Sequence, residues 1–115
     1  MTEAETFTRR VEALLAAARD KGLSSGSGDR LSTLDAAVLV ALQLGLARDS
    51  LRFSKGMEVP HALVLRSCTL LADEFGLIIL RRGAPSDPRM RYSFSEKGAR
   101  FARSTLCANL EGHTT

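Results

Sequence analysis

Thirty residues, EFGLIILRRGAPSDPRMRYSFSEKGARFAR at positions 74–103, constrain this chain more than any others. They hold a helix end, a basic β-hairpin and a fresh helix start in immediate succession. Leu77, Ile78, Ile79 and Leu80 form a short apolar run with β-branched members, while Met90, Tyr92 and Phe94 alternate with Arg91 and Ser93, the period of a half-buried strand. The two runs are expected to pair. Between them Gly83, Pro85, Ser86, Asp87 and Pro88 are turn formers, and neither proline can donate to a ladder, so the segment is read as a loop tip. Ser95 then offers an N-cap oxygen, Glu96 a first-turn negative charge, and Ala99, Phe101, Ala102 and Leu106 continue as a helix.

Arg81, Arg82, Arg89 and Arg91 flank the loop tip, where Asp87 is the only nearby acid in the sequence. From position 81 to 103, six arginines and one lysine stand against Asp87 and Glu96, although the whole chain carries a formal charge of only +3. The basicity is thus local to the C-terminal third, and a polyanion is its natural partner.

With 115 residues, 44% of them hydrophobic, the chain suits a single domain with a real core. Phe7, Val11, Leu14, Leu15 and Ala18 recur at helical spacing, so residues 3–20 are expected as an amphipathic helix ending at Lys21 and Gly22. The stretch SSGSG at positions 24–28 reads as a flexible linker that sets this first helix somewhat apart. Ser32 or Thr33 caps a second helix running to about Leu46, apolar nearly all round and therefore buried on more than one side. One side belongs to the core; the other must meet the first helix, the last helix or a second subunit. Asp49 or Ser50 starts a short third helix that Gly56 is placed to end, and Pro60 opens a fourth. In the fourth, Val64, Cys68, Leu71 and Phe75 should face inward. His61, Ala62, Arg66, Thr69 and Asp73 lie on the opposite side.

Several function classes find no support. The N-terminus MTEAETFTRR is acidic and polar, unlike a secretory leader, and no apolar run approaches the length of a membrane span, so a cytoplasmic location without membrane contact is expected. Cys68 and Cys107 are far apart with no partners at metal-ligand spacing, and both read as reduced thiols, an intermolecular disulfide at Cys107 being the alternative if two C-terminal helices meet. His61 and His113 have no nucleophile or carboxylate at motif spacing, so no enzyme activity, cofactor or metal is expected. SSGSG lacks the lysine of a phosphate loop. Every phenylalanine falls on an apolar stripe, which argues against binding single strands by base stacking.

Residues 31–103 resemble the winged-helix regulators of the multiple-antibiotic-resistance (MarR) type. The likeness rests on LSTLDAAVLVAL as the first domain helix, a helix ending in EFGLI, the DPR tip of the basic hairpin, and SFSEKGARFA after it. It implies a mainly α fold with a small β-hairpin, that is, an α+β winged helix-turn-helix with flanking N- and C-terminal helices. The corresponding division is an N-terminal dimerisation helix at 1–22, a linker at 23–30, a winged-helix domain at 31–95 and a C-terminal helix and tail at 96–115. The resemblance also implies a recognition helix at residues 60–75, a wing at residues 81–91, a two-fold dimer held by the terminal helices, and double-stranded DNA as the partner of a transcriptional regulator.

The candidate DNA-contacting residues are His61, Arg66, Ser67 and Thr69 on the helix, with Arg81, Arg82, Arg89 and Arg91 on the hairpin. Arg66 has the fork to engage a guanine, and Arg89 and Arg91 can follow the backbone or enter a minor groove. Set against this, Arg66 is also what a solvated helix carries, His61 suits a plain surface position, one of Arg81 and Arg82 can serve structure, and arginines beside an edge strand keep it soluble. Leu63 and Leu70 near the outer face motivate a second reading, a winged helix that docks on a protein partner without sequence-specific DNA binding. Non-specific DNA architecture is a third.

Overall fold

A computed structural model describes the backbone of residues 2–24 and 28–114, and side chains as far as Thr105. Residues 25–27 of the expected linker, and the side chains of Cys107, with its disulfide alternative, and of His113 lie outside the described part.

The chain is mainly helical with one small antiparallel hairpin, as expected: α1 (Glu3–Asp20), α2 (Thr33–Gln43), α3 (Ser50–Met57), α4 (His61–Asp73), β1 (Ile78–Arg82), β2 (Met90–Phe94) and α5 (Glu96–Thr114). Local chemistry sets most boundaries. Thr2 and Glu5 form a reciprocal capping box before α1, and Ser32 and Asp35 form another before α2. Lys21 ends α1, and Gly22 (φ +64°) takes the left-handed turn that lets the Leu23 amide donate to the Ala18 carbonyl at 2.9 Å. Asp49 caps α3 by accepting the Arg52 amide at 2.7 Å.

Gly56 does not end α3. The helix continues to Met57, and Glu58 adopts the left-handed conformation (φ 55°) that a glycine would ordinarily supply. The turn is held instead by Ser54, whose hydroxyl donates to the Val59 carbonyl at 2.6 Å while its carbonyl accepts the Val59 amide at 3.1 Å.

α2 is the central element, with Ala36, Val38, Leu39, Val40 and Ala41 all buried. α1 covers one side of it and α4 another. The expectation that the first helix stands apart is therefore corrected: Val11, Leu14 and Ala18 join the same core as Leu39 and Leu71, so the second apolar side of α2 is filled within the chain. The physical reason is simple, since a connection of about a dozen residues lets α1 fold back on α2 and remove its stripe from water. The expected inward set of α4, Val64, Cys68 and Leu71 with Phe75 just beyond it, is buried throughout.

The hairpin register pairs Ile78 with Phe94, Leu80 with Tyr92, and Arg81 with Arg91. Ile78, Met90 and Tyr92 are buried, so this parity faces the core and the other faces out. On its second edge β2 meets the α2–α3 connection: the Tyr92 amide donates to the Arg48 carbonyl at 3.1 Å, and Asp49 bridges Arg91.

The EKG element after the hairpin has a specific use. Ser95 caps α5 by accepting the Gly98 amide at 3.0 Å, and its hydroxyl donates to the Gly76 carbonyl at 2.6 Å. Lys97 donates to the Phe75 carbonyl at 3.0 Å, at the C-terminal end of α4 where carbonyls lack helical partners. Gly98 lies directly on the Leu77 backbone. Further along, Gln43 reaches the Ala102 carbonyl and Lys21 reaches Ser104, each at 3.0 Å, fixing α5 against α2 and α1.

Candidate nucleic-acid interface

The outward parity of the hairpin carries Ile79 and Arg81 on β1, with Arg91 and Ser93 opposite on β2. Arg81 and Arg91 are direct cross-strand neighbours on one face. Like charges so placed are destabilising. Both are exposed, as is Arg82, and among the described residues none of the three has an ion-pair partner. Neither Arg81 nor Arg82 is thus taken up by structure.

Arg89, expected with Arg91 to follow the backbone or enter a minor groove, differs from the other hairpin arginines in having carboxylates close by. Its Nη1 lies 3.9 Å from Asp49 Oδ2 and its Nε 3.4 Å from Asp87 Oδ1, while its amide donates to Asp87 Oδ1 at 3.1 Å. The Nε contact is electrostatic rather than a well-aligned hydrogen bond, because that buried atom has no acceptor in good geometry. The sequence shows Asp87 next door; the tertiary fold adds Asp49 from the start of α3. Arg89 thus ties the hairpin base to Asp49 and Asp87, unlike Arg81, Arg82 and Arg91.

On α4, Arg66 and Thr69 are exposed on the outer face, and the Thr69 hydroxyl donates back to the Leu65 carbonyl at 2.9 Å. Ser67 is not on that face. It is 4% exposed and donates to Oδ1 of the buried Asp35, whose Oδ2 accepts the Ser32 amide at 3.0 Å. Its spacing held the signal, since Ser67 is three residues past Val64 and four before Leu71, on the inward arc. His61 is half-buried at the start of α4, with Nε2 at 2.8 Å from Ser50 Oγ. Leu63 is 47% exposed, whereas Leu70 is half-buried and packs on the core, so the apolar outer patch shrinks to Leu63 and its surroundings. α4 itself spans His61–Asp73, with Pro60 as its N-cap and Phe75 beyond its end, slightly inside the expected 60–75.

Two positions were missed in the sequence. Arg48 is exposed and its carbonyl accepts the Tyr92 amide, which adds a further cation at the outer edge of β2. Ser50, fully buried, accepts the Met90 amide at 2.8 Å and touches His61.

Burial pushes the Cys68 thiol up to about 12, with a smaller contribution from the charge of Asp35. Burial likewise raises Tyr92, helped by Cys68 and Asp49. Both are packing groups rather than reactive ones. Among the described residues, no group of three or more His, Cys, Asp or Glu is placed to hold a metal ion, and no helix is long and apolar enough to cross a membrane. No family model matches the chain, and no curated protein or solved structure is significantly similar to it.

Proposed function

We propose that this chain is a winged-helix protein that binds double-stranded DNA and regulates transcription as a homodimer. The observation that carries the reading is the Arg81–Arg91 pair. A hairpin this small keeps two like charges without ion-pair partners opposite one another on its exposed face, with Arg82 next in the chain also exposed, at a cost a polyanion would reverse. The order of elements supports the finer fold: three residues, Glu58 to Pro60, join α3 to α4 as in a helix-turn-helix, and the Asp49 bridge adds a rudimentary third strand to the hairpin.

In this reading α4 presents Arg66 and Thr69 to the major groove, with His61 at its leading end, and the hairpin arginines follow the flanking backbone. Pairing of two copies falls to α1 and α5, the helices outside the α2–β2 unit. Fluorescence anisotropy on duplex DNA from the protein's own upstream region, against a scrambled duplex, tests this. With Arg89 tied to Asp49 and Asp87, Arg81, Arg82 and Arg91 give a dimer up to six phosphate contacts, so log affinity should fall with log salt at a slope approaching about −5. A slope near zero, or no binding at low salt, would remove the DNA reading.

A specific observation keeps the second reading in view. Ile79 (51% exposed) shares the outward hairpin face with the arginines, and Leu63 (47%) is exposed on α4, as a protein-docking surface requires. It predicts duplex affinity, if any, unchanged in R81A and R91A.

A further inference from the structure

One hydroxyl at the start of a helix touches the first residues of two other elements. Ser50 opens α3, His61 opens α4 and Met90 opens β2, and the Ser50 oxygen lies 2.8 Å from both the Met90 amide nitrogen and His61 Nε2. Ser50 is 0% exposed, so bulk water does not reach its hydroxyl. A serine hydroxyl has one hydrogen to give and two lone pairs. The Met90 N–H occupies one lone pair, which leaves the proton and the second lone pair for His61 Nε2; in the Nδ1–H tautomer Nε2 accepts the Ser50 proton.

We infer that Ser50 and His61 form a positioning joint that sets the basic hairpin relative to α4, and that His61 contributes to DNA binding through this joint rather than by reading bases. The inference rests on the proposed function for its DNA consequence only. Two facts carry it. The hairpin touches the start of α3 through Ser50–Met90 and through Arg89–Asp49, and α3 packs on α4 and joins it by a turn held at Ser54 and Val59. To this packing the Ser50–His61 bond adds a direct polar link between the first residue of α4 and a residue that holds β2. Loss of the His61 acceptor leaves a buried hydroxyl proton without a partner, which loosens the same oxygen that holds Met90.

The test compares S50A, H61L and H61Q, the last keeping an acceptor at similar reach. Two readouts are taken on each full-length chain: amide hydrogen exchange of Met90, with Leu39 in α2 as an internal reference, and affinity for duplex DNA. A lost hydrogen bond at a buried site should speed Met90 exchange about tenfold in H61L and by at least as much in S50A, with Leu39 unaffected. H61Q should return Met90 exchange close to wild type, and duplex affinity should follow the same order. H61L is the safer variant, since its side chain is half-exposed, should S50A fail to fold.

Unchanged Met90 exchange in H61L overturns the joint, as does equal acceleration in H61L and H61Q, which would mean packing alone. Exchange that follows the order while affinity does not overturns its positioning role. Failure of the wild type to bind any duplex would remove the DNA reading, and the exchange series would still decide the joint.

Discussion

Gly98 lies so close to Leu77 that a Cβ on it would sit 1.8 Å from the Leu77 carbonyl oxygen. No side-chain rotation relieves such an overlap, because the obstructing atom is backbone. The first turn of α5 can approach the end of α4 and the start of β1 only if this position is glycine, and that approach is what lets Lys97 and Ser95 reach the carbonyls of Phe75 and Gly76.

G98A should therefore destabilise the protein by about 3 kcal/mol or more, the upper range for overpacking. Urea denaturation followed by circular dichroism measures it. A loss below about 1 kcal/mol would show that α5 shifts freely and that the close approach is not a constraint.

The hairpin cations should separate by role. R81A and R91A are expected to weaken duplex binding evenly across sequences, and each should lower the salt slope by about 1 for every phosphate its arginine neutralises. Relief of the like-charge pair should leave stability unchanged or raise it by a few tenths, about 0.2–1 kcal/mol at most. R89A should do the reverse, costing up to about 1 kcal/mol of stability by releasing Asp49 and Asp87, with a smaller change in slope. Equal effects of all three on the slope would mean that Arg89 also reaches phosphate.

Ser67 should behave as a core residue. S67A leaves one oxygen of the buried Asp35 without its donor and is expected to cost about 1–3 kcal/mol, with duplex affinity unchanged at temperatures where it stays folded. A double-mutant cycle with D35N should show a coupling of about 1 kcal/mol or more, and additive losses would mean the two groups do not interact.

Cys68 should resist thiol reagents in the native state near neutral pH and react on unfolding, as mass spectrometry after alkylation would reveal. Its folded pKa, about 12, lies above the unfolded reference of 9.0, so the unfolded chain loses this proton first as pH rises. The stabilisation is present in full below pH 9 and is lost progressively between about 9 and 12. Tyr92 shifts in the same direction from 10.0 and should steepen the fall. C68A should flatten the alkaline limb of a stability-against-pH curve; an identical limb would place the loss elsewhere.

Features governed by neighbours in sequence are legible in the chain alone. The capping of α2 by Ser32 and α5 by Ser95, the inward set Val64, Cys68 and Leu71, the turn at residues 83–88 and the pairing of its flanks all follow from hydrogen-bonding groups and periodicities within one or two turns of chain. The readings that needed correction have distant causes or unusual local ones. Glu58 displaced Gly56 because Ser54 and Val59 lock the turn around it. Leu70 reads as an outer residue on the helix alone, and it is half-buried because the rest of the core packs under it.

The helices, the hairpin and the concentration of arginine around it follow from the order of residues, because dihedral preference, capping and alternation are local properties of a chain. Which of the described arginines find an acid depends on packing between distant segments. Asp49 is far from Arg89 in sequence and meets it through the packing of α3 on β2; Asp35 claims Ser67 across the α2–α4 interface; Ser50 ties His61 to Met90. Each of these depends on burial bringing distant polar groups together away from water, where an unsatisfied donor or acceptor is costly, and no local pattern encodes which partner it will find.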